Sequence, residues 1–166
     1  DTERGNDKVV IVLTDGANTY YTPSSLGFND LAANRSIYSS YGYAGINQQG
    51  GATTRIFMNT SNAVPKTSYS NTNYTRAMNE HMAATCTNTK NANVVVMTVA
   101  LDLSSADSTQ RTQITALREC ASDSRFRRDP DDPSKPAKLF WNTTGKDLSK
   151  TFKEIADELS NLRIVG

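Results

Sequence analysis

The order of apolar segments predicts an α/β chain with a parallel sheet, on three observations. Val9–Leu13 and Val94-Val95-Val96-Met97 are continuous apolar runs rich in β-branched residues. That composition suits strands buried on both faces, which an alternation of apolar and polar residues would not. Helical spacing marks three further stretches, Tyr74 to Cys86, Ile114 to Ala121 and Leu148 to Leu162. Strands separated by helices of this length pair in parallel, through right-handed crossovers.

Length and composition narrow the class. A chain of 166 residues has room for one domain with a sizeable core. The net charge of +1 points to neither nucleic acid nor an anionic membrane surface. A hydrophobic fraction of 37% is low, and predicts apolar segments joined by long polar connections. No apolar run approaches the ~18 residues of a membrane span. The opening, Asp1 to Gly5, has neither a signal peptide's apolar stretch nor an initiating Met, which predicts a chain taken from something longer.

The first strand, Val9 to Leu13, runs into Thr14-Asp15-Gly16. Gly16 is expected to take a positive φ and turn the chain off the sheet. Asp15 then stands at the carboxyl end of a strand, where open α/β sheets place their ligand sites. From Ala17 to Asn73 the chain turns to Tyr, Ser, Asn, Thr and Gly, and six of the seven tyrosines lie there. Leu31-Ala32-Ala33 suits one helical turn, and Ala52 to Met58 a weak strand. So long a connection is functional or an embellishment, and its aromatics argue against plain disorder. Tyr20, Tyr21, Tyr38, Tyr41 and Tyr43 are candidates for a surface that binds protein or glycan. The same rings equally serve to staple a coreless insertion to the domain, and that reading is preferred.

A helix from Tyr74, capped by Asn71 or Asn73, leads to the second strand, Asn93 to Leu101, which ends in Asp102. Two strands in succession therefore finish on a carboxylate. His81, the sole histidine, lies on the apolar face of the helix and reads as a packed residue. After a loop at Ser104–Ser108, the second helix buries Ile114, Leu117, Cys120 and Ala121. Asp129-Pro130-Asp131-Asp132-Pro133 lacks the glycine and terminal Glu of a calcium loop, and reads as a solvated loop. Lys138 to Trp141 is expected as a third strand. Thr144-x-x-Asp147 suggests a capping box before a helix with Leu148, Phe152, Ile155, Ala156, Leu159 and Leu162 on one face. Cys86 and Cys120 fit no zinc or redox pattern. They suit either a single disulfide in an oxidising compartment or two inert buried thiols.

Several of these blocks resemble known families. V-V-I-V-L-T-D-G, Val9 to Gly16, is similar to the fourth strand and third metal-site loop of a von Willebrand factor A domain. Cys86 with Asn88-Thr-Lys90, then Leu117-Arg-Glu-Cys120-Ala-Ser122, and Asp147 to Phe152 through Ile155-Ala156 to Leu162-Arg163 resemble the C-terminal half of TadG-like pilus-assembly proteins. Those are bacterial proteins of tight-adherence systems. The resemblance covers nearly the whole chain apart from the details of the insertion. It implies a partial doubly wound, Rossmann-like parallel sheet. Residues 1–166 would be the C-terminal part of one such domain, with 17–73 as an insertion and the N-terminal half absent. Val9–Leu13, central in the family, would then lack a neighbour.

The same resemblance implies a non-enzymatic binding module that contacts a pilus or surface protein through a metal-ion-dependent adhesion site. Asp15 would be its third-loop carboxylate, with Asp102 nearby. The complete domain would hold Mg²⁺, or Ca²⁺ or Mn²⁺. This chain alone is expected to hold none tightly, since the family's D-x-S-x-S motif and second-loop Thr have no counterpart here. Asp102-Leu-Ser104-Ser105 has the wrong spacing and follows the wrong strand. The resemblance also implies pairing of Cys86 with Cys120, and a periplasmic, outer-membrane-associated or cell-surface location. An alternative is a structural scaffold with a degenerate site that binds no metal. Enzymatic readings fail on chemistry. A phosphatase of the D-x-D-G type would need a nucleophile at Leu13, and a Ser-His-Asp hydrolase lacks a G-x-S-x-G elbow for His81.

Overall fold

The structure, a computed structural model, describes residues 7–16, 38–39, 42–43, 55–66 and 71–164. The chain divides into two compact units, residues 18–82 and residues 1–17 with 83–166. Helix α1, Asn71–Asn91, begins in the first of these and ends in the second.

The larger unit is built on a parallel sheet in the order β1-β4-β7, formed by Lys8–Thr14, Val94–Leu101 and Phe140–Thr143. Lys8 pairs with Val94 and Thr14 with Ala100, while Thr98 to Leu101 of β4 run beside Phe140 to Thr143. The predicted α/β class and the parallel pairing of its strands are thus observed. The expected third strand, Lys138 to Trp141, is split. Pro136–Lys138 (β6) pairs antiparallel with Asp123–Arg128 (β5), a strand that sequence reading did not anticipate. Leu139 then crosses over: its N–H donates to Ser122 O at 2.8 Å and its carbonyl accepts from Thr98 N at 2.9 Å. Chain before Leu139 belongs to the hairpin, and chain after it belongs to the core sheet.

Helix α2, Ser108–Cys120, starts on Asp107, whose carboxylate accepts from Gln110 N at 2.8 Å. It covers one face of β4, where Ala100, Leu103 and Leu117 pack together and Thr98 Oγ1 donates to Leu117 O at 2.9 Å. Helix α3, Leu148–Ile164, covers the other face, with Ile155 and Leu162 against Met97, Val99 and Trp141. The face predicted for α3 is off centre. Thr151, Ile155, Glu158 and Leu162 are buried, whereas Phe152 and Ala156 are exposed. Glu158 goes inside because partners wait there: Ser124 Oγ and Arg127 Nε both donate to its carboxylate, the latter at 3.0 Å. Nor does Thr144 open a capping box. The helix begins one residue after Asp147, whose carbonyl accepts from Thr151 N, and Thr144 Oγ1 donates to the Asp147 carboxylate from the preceding turn.

Cys86 of α1 and Cys120 of α2 form a disulfide, with Cα atoms 5.2 Å apart. The open question of bridge or free thiols is settled in favour of the bridge. Lys90 reinforces it by donating to Glu119 O at 3.0 Å. Two residues past the end of α1, Asn93 takes the left-handed conformation (φ 57°) that Asn tolerates beyond a helix terminus.

The largest departure concerns β1. Its run of apolar residues predicts burial on both faces, yet Val10, Ile11, Val12 and Leu13 are 45, 43, 36 and 49% exposed. Their neighbours in register, Val96 to Val99, are at most 3% exposed. The reason is geometric: among the described residues α2 and α3 sit over β4 and β7, and β1 is an edge strand that neither helix covers. Only Val9 packs against the core beneath α3.

In the smaller unit, residues 55–57, expected within a weak strand, form a 3₁₀ turn. The first half of α1 supplies the reason: Phe57 and Val64 pack on Ala77, and a compact turn brings both onto one helix face. The ring of His81 is half-buried and its Nε2 donates to Ile56 O at 2.7 Å, the packed role expected of it. Asn73 lies inside the helix and donates to Pro65 O at 2.6 Å, which ties the turn to α1. Glu80 accepts from both the N–H and the hydroxyl of Ser61, at 2.6 Å each. Those bonds, the hydroxyl first, hold its carboxyl below the ordinary value of 4.5.

Candidate functional site

Parallel pairing places the carboxyl ends of all three core strands along one edge. Because Thr14 lies beside Ala100 and Leu101 beside Thr143, the residues that follow, Asp15, Asp102 and Thr144, emerge together there. The two strand-end aspartates singled out in the sequence are therefore on adjacent strands, one register step apart.

They are not equivalent. Asp15 is exposed, and its carboxylate has no hydrogen-bond or ion-pair partner among the described residues. The bend that carries it is closed by Thr14, whose Oγ1 lies 3.3 Å from Gly16 O and 3.5 Å from Gly16 N. Gly16 is not in the left-handed region, and a Cβ there would meet open space, so the expected positive φ is absent. The strained backbone lies one strand over. Asp102 has φ 55°, which costs a non-glycine residue on the order of 1 kcal/mol or more. Aspartate bears this conformation better than most residues because its short side chain bonds locally.

The bonds observed at Asp102 come from the end of β7 and the loop after it, far away in sequence. Asp102 N donates to Thr143 O at 2.8 Å, and Asp102 Oδ1 accepts from Gly145 N at 3.3 Å. Asn142 Nδ2 reaches Leu103 O at 3.1 Å, and Thr151 Oγ1 donates to Thr143 Oγ1 at 2.9 Å. The loop after β4 and the loop after β7 are thereby fastened to each other and to the start of α3. Sequence reasoning missed these partners. The available signal was the polar run Asn142-Thr143-Thr144-Gly145 directly after the aromatic pair Phe140-Trp141.

Among the described residues, no group of three or more His, Cys, Asp or Glu side chains is placed to hold a metal ion. Asp15 and Asp102 offer two carboxylates, one already accepting from Gly145. An octahedral Mg²⁺ shell would remain mostly water on that set. These donors do not by themselves fit a tight divalent site. The acidic loop 129–135 is likewise committed internally. Asp129 accepts from Asp131 N at 2.9 Å, and Asp132 accepts from Ser134 and pairs with Lys135 at 2.8 Å. The Lys135 bond, followed by that from Ser134, lowers the Asp132 carboxyl from its usual value. This is a largely exposed loop closed by its own side chains.

Tyr20, Tyr21 and Tyr41 lie outside the described residues, as do Tyr69 and the expected helical turn at Leu31-Ala32-Ala33. Of Tyr38 and Tyr43 the backbone alone is described. They face each other across a short antiparallel pair, Tyr38–Ser39 (β2) with Gly42–Tyr43 (β3). Among the described residues, no helix is long and apolar enough to cross a membrane.

No protein-family model, curated protein or solved structure matches this chain.

Proposed function

We propose that this chain is the C-terminal part of a von Willebrand factor A-like domain and serves as a non-enzymatic binding module. Its working surface is the carboxyl edge of the β1-β4-β7 sheet. The observation that carries this reading is the exposed carboxylate of Asp15 at that edge, without a partner among the described residues, beside a second strand-end aspartate held in a strained conformation. Its sequence context, V-V-I-V-L-T-D-G, is that of the family's third metal-site loop. In the complete domain Asp15 would help hold Mg²⁺, Ca²⁺ or Mn²⁺, and the bound ion would supply a coordination position for an acidic group of the partner. The remaining ligands would come from the N-terminal half, which this sequence does not contain. The partner is a pilus or surface protein of a TadG-like assembly, and the location periplasmic, outer-membrane-associated or cell-surface. The disulfide agrees with an oxidising compartment.

One observation favours the alternative of a scaffold with a degenerate site. The Asp102 carboxylate is engaged by Gly145 N and so has a structural use. Two measurements separate the readings. Titration of Mg²⁺, Mn²⁺ or Ca²⁺ into this chain should show weak, millimolar binding at best. Micromolar binding abolished by Asp15→Ala would show that this chain holds a tight site by itself. In the native cell, attachment mediated by the whole protein should be sensitive to chelators and lost in Asp15→Ala, but retained in Asp132→Ala. Attachment that survives both chelation and Asp15→Ala supports the scaffold.

A further inference from the structure

The amino ends of β1 and β4, opposite the edge that carries Asp15, border a cleft of about 560 Å³ that lies wholly within the larger unit. That volume is in the range of small-molecule sites. Its floor is the start of β4, where Val94 and Val95 are half-buried. Cations from three different elements converge on it: Lys8 opens β1, Lys90 stands in the last turn of α1, and Arg125 lies on β5. Asp7 and Asp123 line it as well.

These acids do not cancel the cations. Asp123 is paired with Lys138 at 2.8 Å. Asp7 meets one guanidinium nitrogen of Arg125 at 3.4 Å, and the Arg125 side chain is 56% exposed, so solvent screens much of that contact. With Lys138 included, four cations face two carboxylates, an excess of two positive charges. Donors are in surplus too. Lys8 has no partner among the described residues, and Lys90 uses one of its three N–H groups on Glu119 O. The Ser122 hydroxyl accepts from Val96 N at 3.0 Å and keeps its own hydrogen to donate. Free carbonyls at the end of α1 would repel an anion. Those of Asn88 and Lys90 are already taken by Ala92 N and Asn93 N, at 3.0 Å each.

We propose that this cleft binds the phosphate monoester of a small hydroxylated molecule. Lys8, Lys90 and Arg125 hold the phosphate, through the charge-assisted bonds that guanidinium and ammonium groups make best. The body of the ligand lies over Val94 and Val95, and Asp123 and Asn93 at the rim meet its hydroxyls. A monoester carries close to two negative charges at neutral pH, which matches the excess. A monocarboxylate would leave one positive charge uncompensated, and inorganic phosphate would leave most of the cleft unfilled. The site is at the opposite end of the sheet from Asp15 and does not rest on the adhesion reading.

Calorimetric titration of glucose 6-phosphate into this chain tests the proposal, with inorganic phosphate and glucose as comparison probes. The ester should bind with a Kd of about 1 mM or tighter, and each comparison probe at least about tenfold more weakly. Lys8→Gln and Arg125→Gln should each weaken ester binding about tenfold, the scale of one charge-assisted hydrogen bond. Asp7→Asn removes an acid from the lining and should tighten binding about threefold, a gain that a misfolded variant cannot give. Lys150→Gln makes the same charge change as Lys8→Gln on the exposed first turn of α3, beyond the carboxyl end of β7, and should leave binding unchanged. Failure of the ester to bind in the millimolar range overturns the proposal. So does equal binding of inorganic phosphate, or a loss in Lys150→Gln as large as that in Lys8→Gln.

Discussion

β1 and β4 are nearly the same strand by composition and lie hydrogen-bonded side by side, yet one is bare and the other is the centre of the core. Val10 to Leu13 are 36 to 49% exposed, and Val96 to Val99 0 to 3%. Fully burying a valine, isoleucine or leucine contributes about 1.5–3 kcal/mol. Along β4 that contribution is collected against α2 and α3, and along β1 close to half of it is forgone. Burial is thus a property of what lies over a strand, and an apolar run states only what the strand is suited to.

The largest test of this contrast compares register partners. Met97→Ala should destabilise the chain by about 2–5 kcal/mol, as expected when a large core side chain is deleted. Ile11→Ala, directly beside it, should cost under about 1 kcal/mol, because so much of Ile11 already faces water. Equal costs in denaturant melts would break the contrast.

Reduction of the disulfide comes next. The bridge spans 34 residues, and a closed loop of that size contributes about 3–4 kcal/mol on a chain-entropy account. Because α2 covers β4 and not β1, reduction should loosen β4 and leave the exposure of β1 unchanged. Thiol titration of the unreduced, denatured chain should find no free thiol, and two reactive thiols would contradict the pairing.

The legibility of the sequence follows the same division. Parallel pairing, the three long helices and the carboxylates at two strand ends were readable, because each is set by period or by local chemistry. The β5–β6 hairpin was not. Asp123-Ser124-Arg125-Phe126-Arg127-Arg128 is apolar only at Phe126, and the buried Ser124 hydroxyl is satisfied by Glu158 and by the N–H groups of Phe126 and Arg127. Glu158 itself reads as a surface residue until Arg127 is placed beside it and over the Trp141 ring, 4.9 Å from its centre. At the candidate site, Asp15 and Asp102 were both identified. That Asp102 is held by Gly145 depends on a contact 43 residues away in sequence, which no local pattern records.

The smallest effect marks the limits of the contrast. Glu80 is held below its ordinary carboxyl value, so its stabilising contribution is present above pH 4.5 and disappears as pH falls through the lowered value. Solvent screening keeps it under about 1 kcal/mol. Acidification below pH 4.5 should loosen the turn at Ser61 in the wild type more than in Glu80→Gln, and leave the difference between β1 and β4 untouched. An identical acid response in the two proteins would remove the role assigned to Glu80.

Among the described residues, β1 is held by β4 alone and no element lies over it. Residue-resolved amide hydrogen exchange along both strands of the isolated chain tests it most directly. Val95 to Val99 should exchange only through global unfolding. Val9 to Leu13 should exchange through local opening that costs roughly 2 kcal/mol less or lower still, within the span between fraying and global unfolding. Protection of Val9 to Leu13 equal to that of Val95 to Val99 would contradict the account.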